Sequence, residues 1–596
     1  MVARLIAGFR DRLERSLGNA LAGLMAVLLV LVLANVAARY LFRTGFLGQE
    51  ELAIWLHLAL IALAIPLAYR GPLSMRFDVL RRWLPASFAT TFDVAADAVS
   101  VTAGLALVNG ALSSISAIGG VSPTLGLPEW IRFSFFVTGG VLLLAMLCCD
   151  RVLTGRIGGL FVSLVIAGLL YGSSKIATVD SDWPPSLFMA LIAGVGLLVS
   201  APLAHAFLAA ACFAPLFGGV LPEPALVSSA INGMSRFLLL SIPFFLLAGA
   251  LLTVSGTAER LVTFAASLVG HRKGGLAQTV LLTSVIFSGA SGSSVANAAF
   301  GASTFQPQLV KNGYPPAQAG AIIAASSVLD NVIPPSIAFL LLAAATNLSV
   351  GSLLTGGFFA GGLMALCLAI AISLSVKAGP SMQKASTRQR WSAAKSAIPA
   401  FGLGIIVVAG IRFGIVTPTE AAALAAGFTL LLSFAARSAS SRIWSCFRQS
   451  ALEAGAIGLL IGSAAPFAFL LAVDGVAASL TEIVHSLGSS PVLVLLMANL
   501  VLLVAGLVLD IGAAILLLGP ILVPAAAAAG LDPIHFGVIL VVNLMIHGLT
   551  PPLGMLIYVV SGVTSVPASQ LFRAVLPYLA ALLVSVFLLC LGTLLF

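Results

Sequence analysis

Long apolar runs, separated by short polar segments, dominate the whole chain. A helix needs about 20 mostly apolar residues to cross the hydrocarbon core of a bilayer, and the sequence has room for well over ten such helices. A transmembrane β-barrel would show shorter segments in which apolar and polar residues alternate. The pattern therefore predicts an all-α polytopic membrane protein.

The first part of the chain, residues 1–150, predicts a four-helix membrane module. Its four apolar runs span residues 17–38, 52–69, 92–112 and 131–147. A fifth apolar run at 160–172 leads into a polar stretch that ends in Pro184-Pro185. Because polar stretches with proline punctuate helices, we assign residues 151–185 to a connecting helix and an external linker.

Composition and charge support a membrane protein and set its orientation. Only 8% of the residues are charged and 60% are hydrophobic, whereas soluble domains carry roughly 25% charged residues. The formal net charge of +9 does not indicate nucleic-acid binding, since basic residues of membrane proteins concentrate in cytoplasmic loops. Arg4, Arg10 and Arg15 precede the first apolar run and place the N-terminus in the cytoplasm.

Residues 186–596 contain an internal repeat. Several prolines and glycines recur at one constant offset along the chain: Pro307 as Pro524, Pro316 as Pro533, Gly320 as Gly537, and Pro334-Pro335 as Pro551-Pro552. A basic segment at 377–396, predicted as a cytoplasmic loop, separates the first repeat (186–376) from the second (397–596). Repeats whose helices are interrupted by glycine and proline at matching positions are typical of secondary transporters.

A run of small residues interrupts an apolar helix in the first repeat. From Phe287 to Asn297 the sequence reads Phe-Ser-Gly-Ala-Ser-Gly-Ser-Ser-Val-Ala-Asn. Glycine permits a tight turn and hydroxyls supply oxygen ligands. A broken helix survives in a membrane only where its carbonyls face protein, water or an ion. The run predicts the tip of a re-entrant hairpin that binds a small cation or substrate; the alternative is a helix-packing face of small residues.

A proline pair follows a polar segment in each repeat. The first segment reads Asp330-Asn-Val-Ile-Pro-Pro-Ser336 and the second reads His547-Gly-Leu-Thr-Pro-Pro-Leu-Gly554. Two prolines remove two N–H donors, so upstream carbonyls lose their helical partners and become suitable ligands for Na⁺. The alternative is a proline kink that binds no ligand.

Three ionisable residues stand out at membrane depth, where such residues mark functional sites by default: Asp330, Asp510 and His547. Asp510 follows Ser293 at the offset of the repeat, which places it at the tip of a second hairpin. Asp330 and His547 are equivalent positions of the two repeats, so a pseudo-two-fold axis would let their side chains approach each other. The alternative is that each caps a helix end or bonds locally.

The sequence lacks the catalytic patterns of the enzyme classes considered. Its histidines do not have the H-E-x-x-H spacing of metalloproteases. Its glycines do not precede the lysine of a P-loop, and the serine-rich run has no final glycine of a nucleophile elbow. We therefore predict that the protein is not an enzyme.

These motifs resemble the tripartite ATP-independent periplasmic (TRAP) transporter family, as a fusion of its small and large membrane subunits. Residues 1–150 resemble the small, Q-type subunit at Arg39-Tyr-Leu-Phe42, Glu50-Glu-Leu-Ala53, Ala68-Tyr-Arg70 and Asp78-Val-Leu80. Residues 186–596 resemble the large, M-type subunit at the serine-rich run and both proline pairs. Further matches lie at 242–249, Gly313-Tyr-Pro315, Thr417-Pro-Thr-Glu-Ala421, Leu509-Asp510, 532–537 and Asn543-Leu544.

The resemblance implies an elevator-type secondary transporter with inverted repeats and two re-entrant hairpins, in which the four-helix module extends the scaffold. It implies import of a small organic anion, such as a carboxylate, that a periplasmic substrate-binding protein delivers and a Na⁺ gradient drives. It also implies a monomeric unit in the bacterial inner membrane. An alternative is an elevator anion transporter that needs no binding protein and couples to protons through Asp330 and His547.

Carried over residue by residue, the resemblance implies two overlapping sets of site residues. The substrate set is Ser291, Ser293, Ser294, Asn297, Asp510 and Asn543. The Na⁺ set, which contributes mainly backbone oxygens, is Ser291, Gly292, Ser293, Asp330, Asn331, Val332, Pro334, His547, Gly548, Thr550 and Pro551.

Two positions depart from the family pattern. Asp330 and His547 stand where the family usually has a small residue, commonly glycine. A carboxylate beside a Na⁺ site would tighten that site, and histidine titrates near neutral pH. We therefore expect an altered cation dependence, which glycine at either position, or at both, would reverse.

Overall fold

The computed structural model of this chain is helical throughout the residues that it describes. These are residues 2–69, 74–77, 81, 85–176, 183–218, 222–272, 274–291, 293–376, 383–486, 490–507, 509–551 and 554–595. Within these ranges there is no β-strand, only two isolated bridges, which join Arg76 to Pro202 and Val121 to Pro128. The predicted all-α fold class is confirmed.

The five apolar runs of the first part of the chain each form a helix. They are α1 Val2–Leu41, α2 Gln49–Ala68, α3 Ala86–Ala117, α4 Trp130–Leu153 and α5 Ile157–Ile176. Every one of these helices begins before its apolar run, because backbone hydrogen bonding continues into the polar flanks. Helix α5 extends to Ile176, so it takes in the start of the predicted linker, and residues 177–182 of that linker lie outside the described residues.

The remainder of the chain alternates long helices with short ones. In the described residues, eleven helices precede residue 376: α6 Pro185–Leu198, α7 Leu203–Cys212, α8 Glu223–Met234, α9 Ser241–Val254, α10 Thr257–Val269, α11 Gly275–Ser291, α12 Ser294–Thr304, α13 Gln306–Lys311, α14 Pro316–Ser327, α15 Ile337–Thr346 and α16 Val350–Ser375. Nine follow: α17 Thr387–Arg412, α18 Pro418–Ala435, α19 Ser440–Val473, α20 Val476–Ser486, α21 Pro491–Gly506, α22 Ile511–Ala528, α23 Pro533–Ile546, α24 Met555–Thr564 and α25 Ala568–Leu595. Across the described parts of the whole chain, 12 helices are long and apolar enough to cross a membrane.

The predicted cytoplasmic loop at 377–396 is too long at its C-terminal end. Helix α17 begins at Thr387, where Ser386 and Gln389 form a capping box that supplies acceptors to exposed N–H groups. The basic residues that indicated a loop, such as Arg390 and Lys395, lie on this helix instead. Residues 377–382 of the predicted loop lie outside the described residues.

The internal repeat is present in the helices. Five helices of the first repeat have counterparts at the offset of the prolines: α11 and α21, α12 and α22, α14 and α23, α15 and α24, α16 and α25. One difference is the break at Phe305 between α12 and α13, since the second repeat has the continuous helix α22 there despite Pro520 and Pro524. The spacing of prolines therefore identified structurally equivalent segments.

The chain packs as two compact units. The first unit is Met1–Pro243 with Phe447–Ser479, and the second is Phe244–Cys446 with Leu480–Phe596. The first unit thus joins the predicted front module to α6, α7, α8 and most of α19. The second unit contains α11 and α12 as well as α21 and α22, which flank the serine-rich run and Asp510.

Glycines of α19 allow close packing inside the first unit. A Cβ atom at Gly455 would overlap Ala64 of α2, and one at Gly458 would overlap Ile61 of the same helix. Lipid chains are as apolar as leucine, so helices in a membrane associate through close contacts of this kind. These contacts explain why α19, distant in sequence, packs with the front module.

A buried ionic cluster joins three helices of the first unit. Asp97 of α3 is 1% exposed; its Oδ1 accepts hydrogen bonds from Tyr69 Oη at 2.6 Å and Arg151 Nη2 at 2.7 Å. The Tyr69 ring stacks on His205 of α7 with centroids 5.9 Å apart, and His205 Nδ1 lies 3.2 Å from Ser100 Oγ. The sequence gives no sign of this cluster, because its members are widely spaced along the chain and match no motif.

Candidate functional site

The serine-rich run breaks the helix and folds it into a hairpin. Helix α11 ends at Ser291, and α12 begins at Ser294 after the extended Ser293 (φ −133°, ψ 105°). The rings of Phe287 and Phe300, on either side of the break, stack with centroids 5.4 Å apart. In a continuous helix, thirteen residues would span about 20 Å. The chain therefore doubles back between these two rings.

The predicted residues of this first hairpin lie around its tip. The Ser293 hydroxyl caps α12 by accepting the N–H of Ala296 at 3.4 Å. Ser294 and Asn297 lie in the first turn of α12 and are buried. Gly292 lies outside the described residues, and the same holds for the side chain of Ser291.

Asp510 occupies the corresponding place in the second hairpin. Helix α21 ends at Gly506, and α22 begins directly after Asp510, whose Oδ1 accepts the N–H of Gly512 at 2.9 Å. Helices α21 and α22 pack against each other. Asp510 and Ser293, which are equivalent positions of the two repeats, are thus both N-cap residues of the second arm of a hairpin.

The polar segment before the first proline pair leaves the regular helix. Residues Val328–Asn331 form one 3₁₀ turn after α14. The carbonyl of Asn331 accepts a hydrogen bond from the hydroxyl of Ser336, which is the N-cap of α15. A 3₁₀ turn at a helix end leaves carbonyls without their usual i+4 donors, so backbone oxygens of this segment stay candidates for cation ligands.

This turn lies against the first hairpin. It packs on α11, α12 and α14, which brings Asp330 and the serine-rich tip into one packed cluster of segments. Asp330, Val332 and Pro334 are all buried there. The first-repeat members of the predicted Na⁺ set that the structure describes therefore come from elements in mutual contact.

The second proline-pair segment has the same form. Residues His547–Leu549 make a 3₁₀ turn after α23, and the His547 carbonyl accepts the N–H of Thr550 at 3.1 Å. Gly548 is buried, Thr550 is half-buried and Pro551 is exposed. A carbonyl oxygen has two lone pairs, so the His547 oxygen retains one for a cation.

The two repeats exchange helices within the second unit. Helix α12 of the first hairpin packs against α24, and α22 of the second hairpin packs against α15. Since α12 corresponds to α22 and α15 to α24, the exchange is reciprocal, as a pseudo-two-fold relation requires. Each hairpin is therefore held by the short helix that follows the proline pair of the other repeat.

Several buried polar atoms near these segments have no hydrogen-bond partner. Within the described part of the chain they include Thr283 Oγ1, Ser294 Oγ, Asn297 Nδ2 and Ser326 Oγ, and in the second repeat Asn543 Oδ1. The helices of the first four atoms, α11, α12 and α14, pack on one another. Buried polar groups are nearly always satisfied, so these atoms are candidates for contacts with a polar ligand.

Thr283 and Ser326 were missed by the sequence analysis. Ser326 carried a usable signal, because it is the first-repeat equivalent of Asn543, a predicted substrate residue. Thr283 carried none, since a single threonine on an apolar helix commonly bonds its own backbone. Whether Thr283 can contact a ligand depends on which segments the fold packs against its helix.

The hydrogen-bond partners of the His547 side chain are backbone carbonyls. Its Nε2 lies 2.9 Å from the Leu503 carbonyl of α21, and its Nδ1 lies 3.2 Å from the Leu544 carbonyl. A neutral imidazole has a single N–H, so only one of these two carbonyls accepts a hydrogen bond from the ring. The ring thus lies at a carbonyl in the last turn of α21, which agrees with the alternative of a helix cap or a local bond.

Two family models match this chain. The model described as "Tripartite ATP-independent periplasmic transporter, DctM component" matches residues 187–594. The model described as "Tripartite ATP-independent periplasmic transporters, DctQ component" matches residues 28–158. The chain belongs to this transporter family. Both TRAP membrane components are present in one polypeptide, as the sequence motifs predicted.

Curated relatives span nearly the whole chain. The isethionate TRAP transporter permease protein DctMQ of Oleidesulfovibrio alaskensis is 31% identical and covers 94% of this chain and 91% of its own. The sialic acid TRAP transporter permease protein SiaT of Haemophilus influenzae is 28% identical over 96% of each. The C4-dicarboxylate TRAP transporter large permease protein DctM of Pseudomonas aeruginosa is 38% identical over 59% of this chain and 83% of its own. All three are named as transporter permeases, not enzymes.

Among solved structures, the chain is similar to the YdaH transporter of Alcanivorax borkumensis, with a TM-score of 0.46 and 18% identity over 63% of this chain and 90% of that one.

Permeases of the TRAP family lie in the inner membrane, work with a periplasmic substrate-binding protein and transport small organic acids. This chain is therefore a multi-pass TRAP permease.

Proposed function

We propose that this TRAP permease imports one small organic anion, such as a carboxylate, in symport with Na⁺. A periplasmic substrate-binding protein delivers the anion. The second unit, which carries both hairpins, is the moving part of an elevator, and the first unit is its scaffold. The observation that carries the proposal is the set of unpartnered buried polar atoms beside the first hairpin.

The chemistry of these atoms suits an anion and a hard cation together. Asn297 Nδ2 is a donor, and the hydroxyls of Thr283, Ser294 and Ser326 either donate or accept. Donors fit the oxygens of a carboxylate, while the carbonyls of the two 3₁₀ turns fit Na⁺. The proposed site thus binds both species without an arginine in its described part.

Charge balance supports a coupled cation. Importing one negative charge against a membrane potential that is negative inside costs about 2.3 kcal/mol per 100 mV. Two or more Na⁺ ions moving with a monovalent anion make the cycle net positive and hence favourable. The carbonyl-rich turns in both repeats provide for more than one cation.

The orientation and assembly are further parts of the proposal. Arg4, Arg10 and Arg15 lie on α1 before its apolar stretch, and basic residues flanking a first span remain in the cytoplasm. We propose a cytoplasmic N-terminus and a monomeric membrane unit. The fused Q-type and M-type components already provide both membrane parts in one chain.

The test is uptake into proteoliposomes of the ligand that co-purifies with the cognate binding protein. Vesicles are compared with and without an inward Na⁺ gradient, and with and without that protein. Uptake that needs both is expected. Uptake without the partner would support the binding-protein-independent alternative, and uptake that follows a proton gradient but ignores Na⁺ would contradict sodium coupling.

Glycine at the two unusual positions is expected to change the cation dependence. Asp330→Gly removes a fully buried carboxylate from the first carbonyl-rich turn, so the Na⁺ concentration for half-maximal uptake is expected to rise at least about threefold, which is about 0.65 kcal/mol. His547→Gly and the double variant are measured alongside, at several pH values. Unchanged Na⁺ and pH dependence in all three variants would contradict the expectation.

A further inference from the structure

The first arm of the second hairpin is attached to α23 by a seam of polar contacts. Asn543 Nδ2 donates to Asn499 Oδ1 at 2.6 Å, and one turn further His547 Nε2 lies 2.9 Å from the Leu503 carbonyl. Positions 499 and 503 lie four residues apart on α21, as do 543 and 547 on the other side. Residues at this spacing share one helix face, so the two contacts form successive rungs between the same two faces.

The Leu503 carbonyl lacks the i+4 donor that a continuous helix would give it. It lies in the last turn of α21, where the N–H of Leu507 donates to Val504 and Ala505 rather than to Leu503. In a membrane no water is at hand to satisfy such a carbonyl. Histidine side chains near a helix C-terminus bond terminal carbonyls, and His547 does so here from a neighbouring segment.

Gly506 makes room for this bond. It is buried, and a Cβ atom at this position would overlap the ring of His547. An alanine would therefore push the ring away from Leu503. The glycine at the end of α21 and the histidine on the facing turn form a matched pair.

The first repeat has no such seam in its sequence. The positions equivalent to Asn499 and Leu503 are Leu282 and Ile286, and those equivalent to Asn543 and His547 are Ser326 and Asp330. An apolar leucine replaces the amide that forms the first rung, and an aspartate replaces the histidine. The side-chain attachment of the first arm is therefore specific to the second hairpin.

We infer that His547, assisted by the Asn499–Asn543 pair, is a positioning residue that holds the first arm of the second hairpin on α23. By satisfying the Leu503 carbonyl it fixes the end of α21, and hence the break that leads to Asp510. Because the shorter contact involves Nε2, the neutral ring carries its proton there and donates it to Leu503. We call this attachment of α21 to α23 through His547 the clamp. Its consequence for transport, a well-formed cation site, rests on the proposed function, whereas the clamp itself does not depend on that function.

Hydrogen–deuterium exchange of the purified full chain tests the clamp without Na⁺ or substrate. His547→Ala is expected to speed exchange of the amides at 503–512 at least about tenfold, and to leave those at 284–296 in the first hairpin unchanged. His547→Gln places an amide N–H near the position of Nε2 and is expected to restore slow exchange. Gly506→Ala, which keeps the histidine, is expected to act like His547→Ala.

His535→Ala is the matched control, because His535 is an exposed histidine on the same helix. Unchanged exchange at 503–512 in His547→Ala would overturn the inference. So would equal acceleration in both hairpins, failure of glutamine to rescue, or the same change in His535→Ala. If exchange behaves as expected but uptake never depends on Na⁺, the clamp stands and the coupling proposal fails.

Discussion

Replacing Asp510, a predicted substrate residue that we propose also neighbours a bound Na⁺, by asparagine is expected to raise the Na⁺ concentration for half-maximal uptake at least about tenfold, while the second hairpin stays folded. Asparagine and aspartate are equally good N-cap residues, so the bond to the Gly512 N–H is kept and only the charge is lost. Two unit charges 4 Å apart attract by about 4 kcal/mol at an effective dielectric constant of 20. A third of that energy is already about a tenfold change.

Uptake into proteoliposomes over a range of Na⁺ concentrations measures this effect. Asp532→Asn is the matched control, since Asp532 caps α23 in the same way, accepting the His535 N–H at 2.8 Å, yet lies outside the proposed site. Its Na⁺ dependence is expected to equal that of the wild type. Asp510→Ala removes the N-cap hydrogen bond as well as the charge, which costs about 1 kcal/mol of helix stability. A wild-type Na⁺ dependence of Asp510→Asn would remove this carboxylate from the coupling site.

Removing the carboxylate of Asp97 is expected to destabilise the first unit by about 3 kcal/mol. The Asp97 side chain is 2% exposed and that of its partner Arg151 is 16% exposed. Breaking a buried pair by deleting one partner leaves an uncompensated charge and costs about 3–5 kcal/mol. Asp97→Ala also leaves the Tyr69 hydroxyl without its acceptor. Thermal unfolding in detergent is expected to show a clearly lower Tm.

Asp93→Ala is the control on the same helix. Asp93 pairs with Arg81 at 2.8 Å and with Arg156, whose side chains are 38% and 47% exposed. Exposed pairs contribute about 0–1 kcal/mol, so this variant is expected to unfold close to the wild-type Tm. Adding Arg151→Met to Asp97→Ala is expected to recover part of the loss. Equal Tm values for Asp97→Ala and Asp93→Ala would contradict the assigned role of the cluster.

The internal repeat shows which structural features a local sequence pattern can predict. Proline and glycine change the backbone conformation of their own turn. Their recurrence at one offset therefore predicts equivalent helix breaks at Ser293 and Asp510 from the sequence alone. The small residues between Phe287 and Phe300 likewise predicted an interruption. The stacking of those two rings is what establishes that the interruption is a hairpin.

The hydrogen-bond partners of the side chains could not be predicted from the sequence in the same way. The repeat left open whether His547 meets Asp330 or bonds locally, and the structure places its ring at the Leu503 carbonyl. That carbonyl lacks its i+4 donor because the last turn of α21, which ends at Gly506, is tightened. This contact depends both on where α21 ends and on where the fold places the His547 ring. No residue spacing in the sequence predicts that the two lie within hydrogen-bond distance.

The sequence by itself determined that this protein is an all-α membrane protein with a repeated, twice-broken transporter module and a fused front module. Burial of an apolar run in lipid and the backbone chemistry of proline and glycine are local properties, so a single sequence contains them. Only the tertiary structure decided which helices pack as one unit, that Asp97 lies at the centre of an ionic cluster, and that Thr283 and Ser326 are buried on helices that pack on each other and on α12. Those facts depend on close contact between segments far apart in the chain, because a polar atom's partner is set by whatever the fold places within hydrogen-bond distance of it.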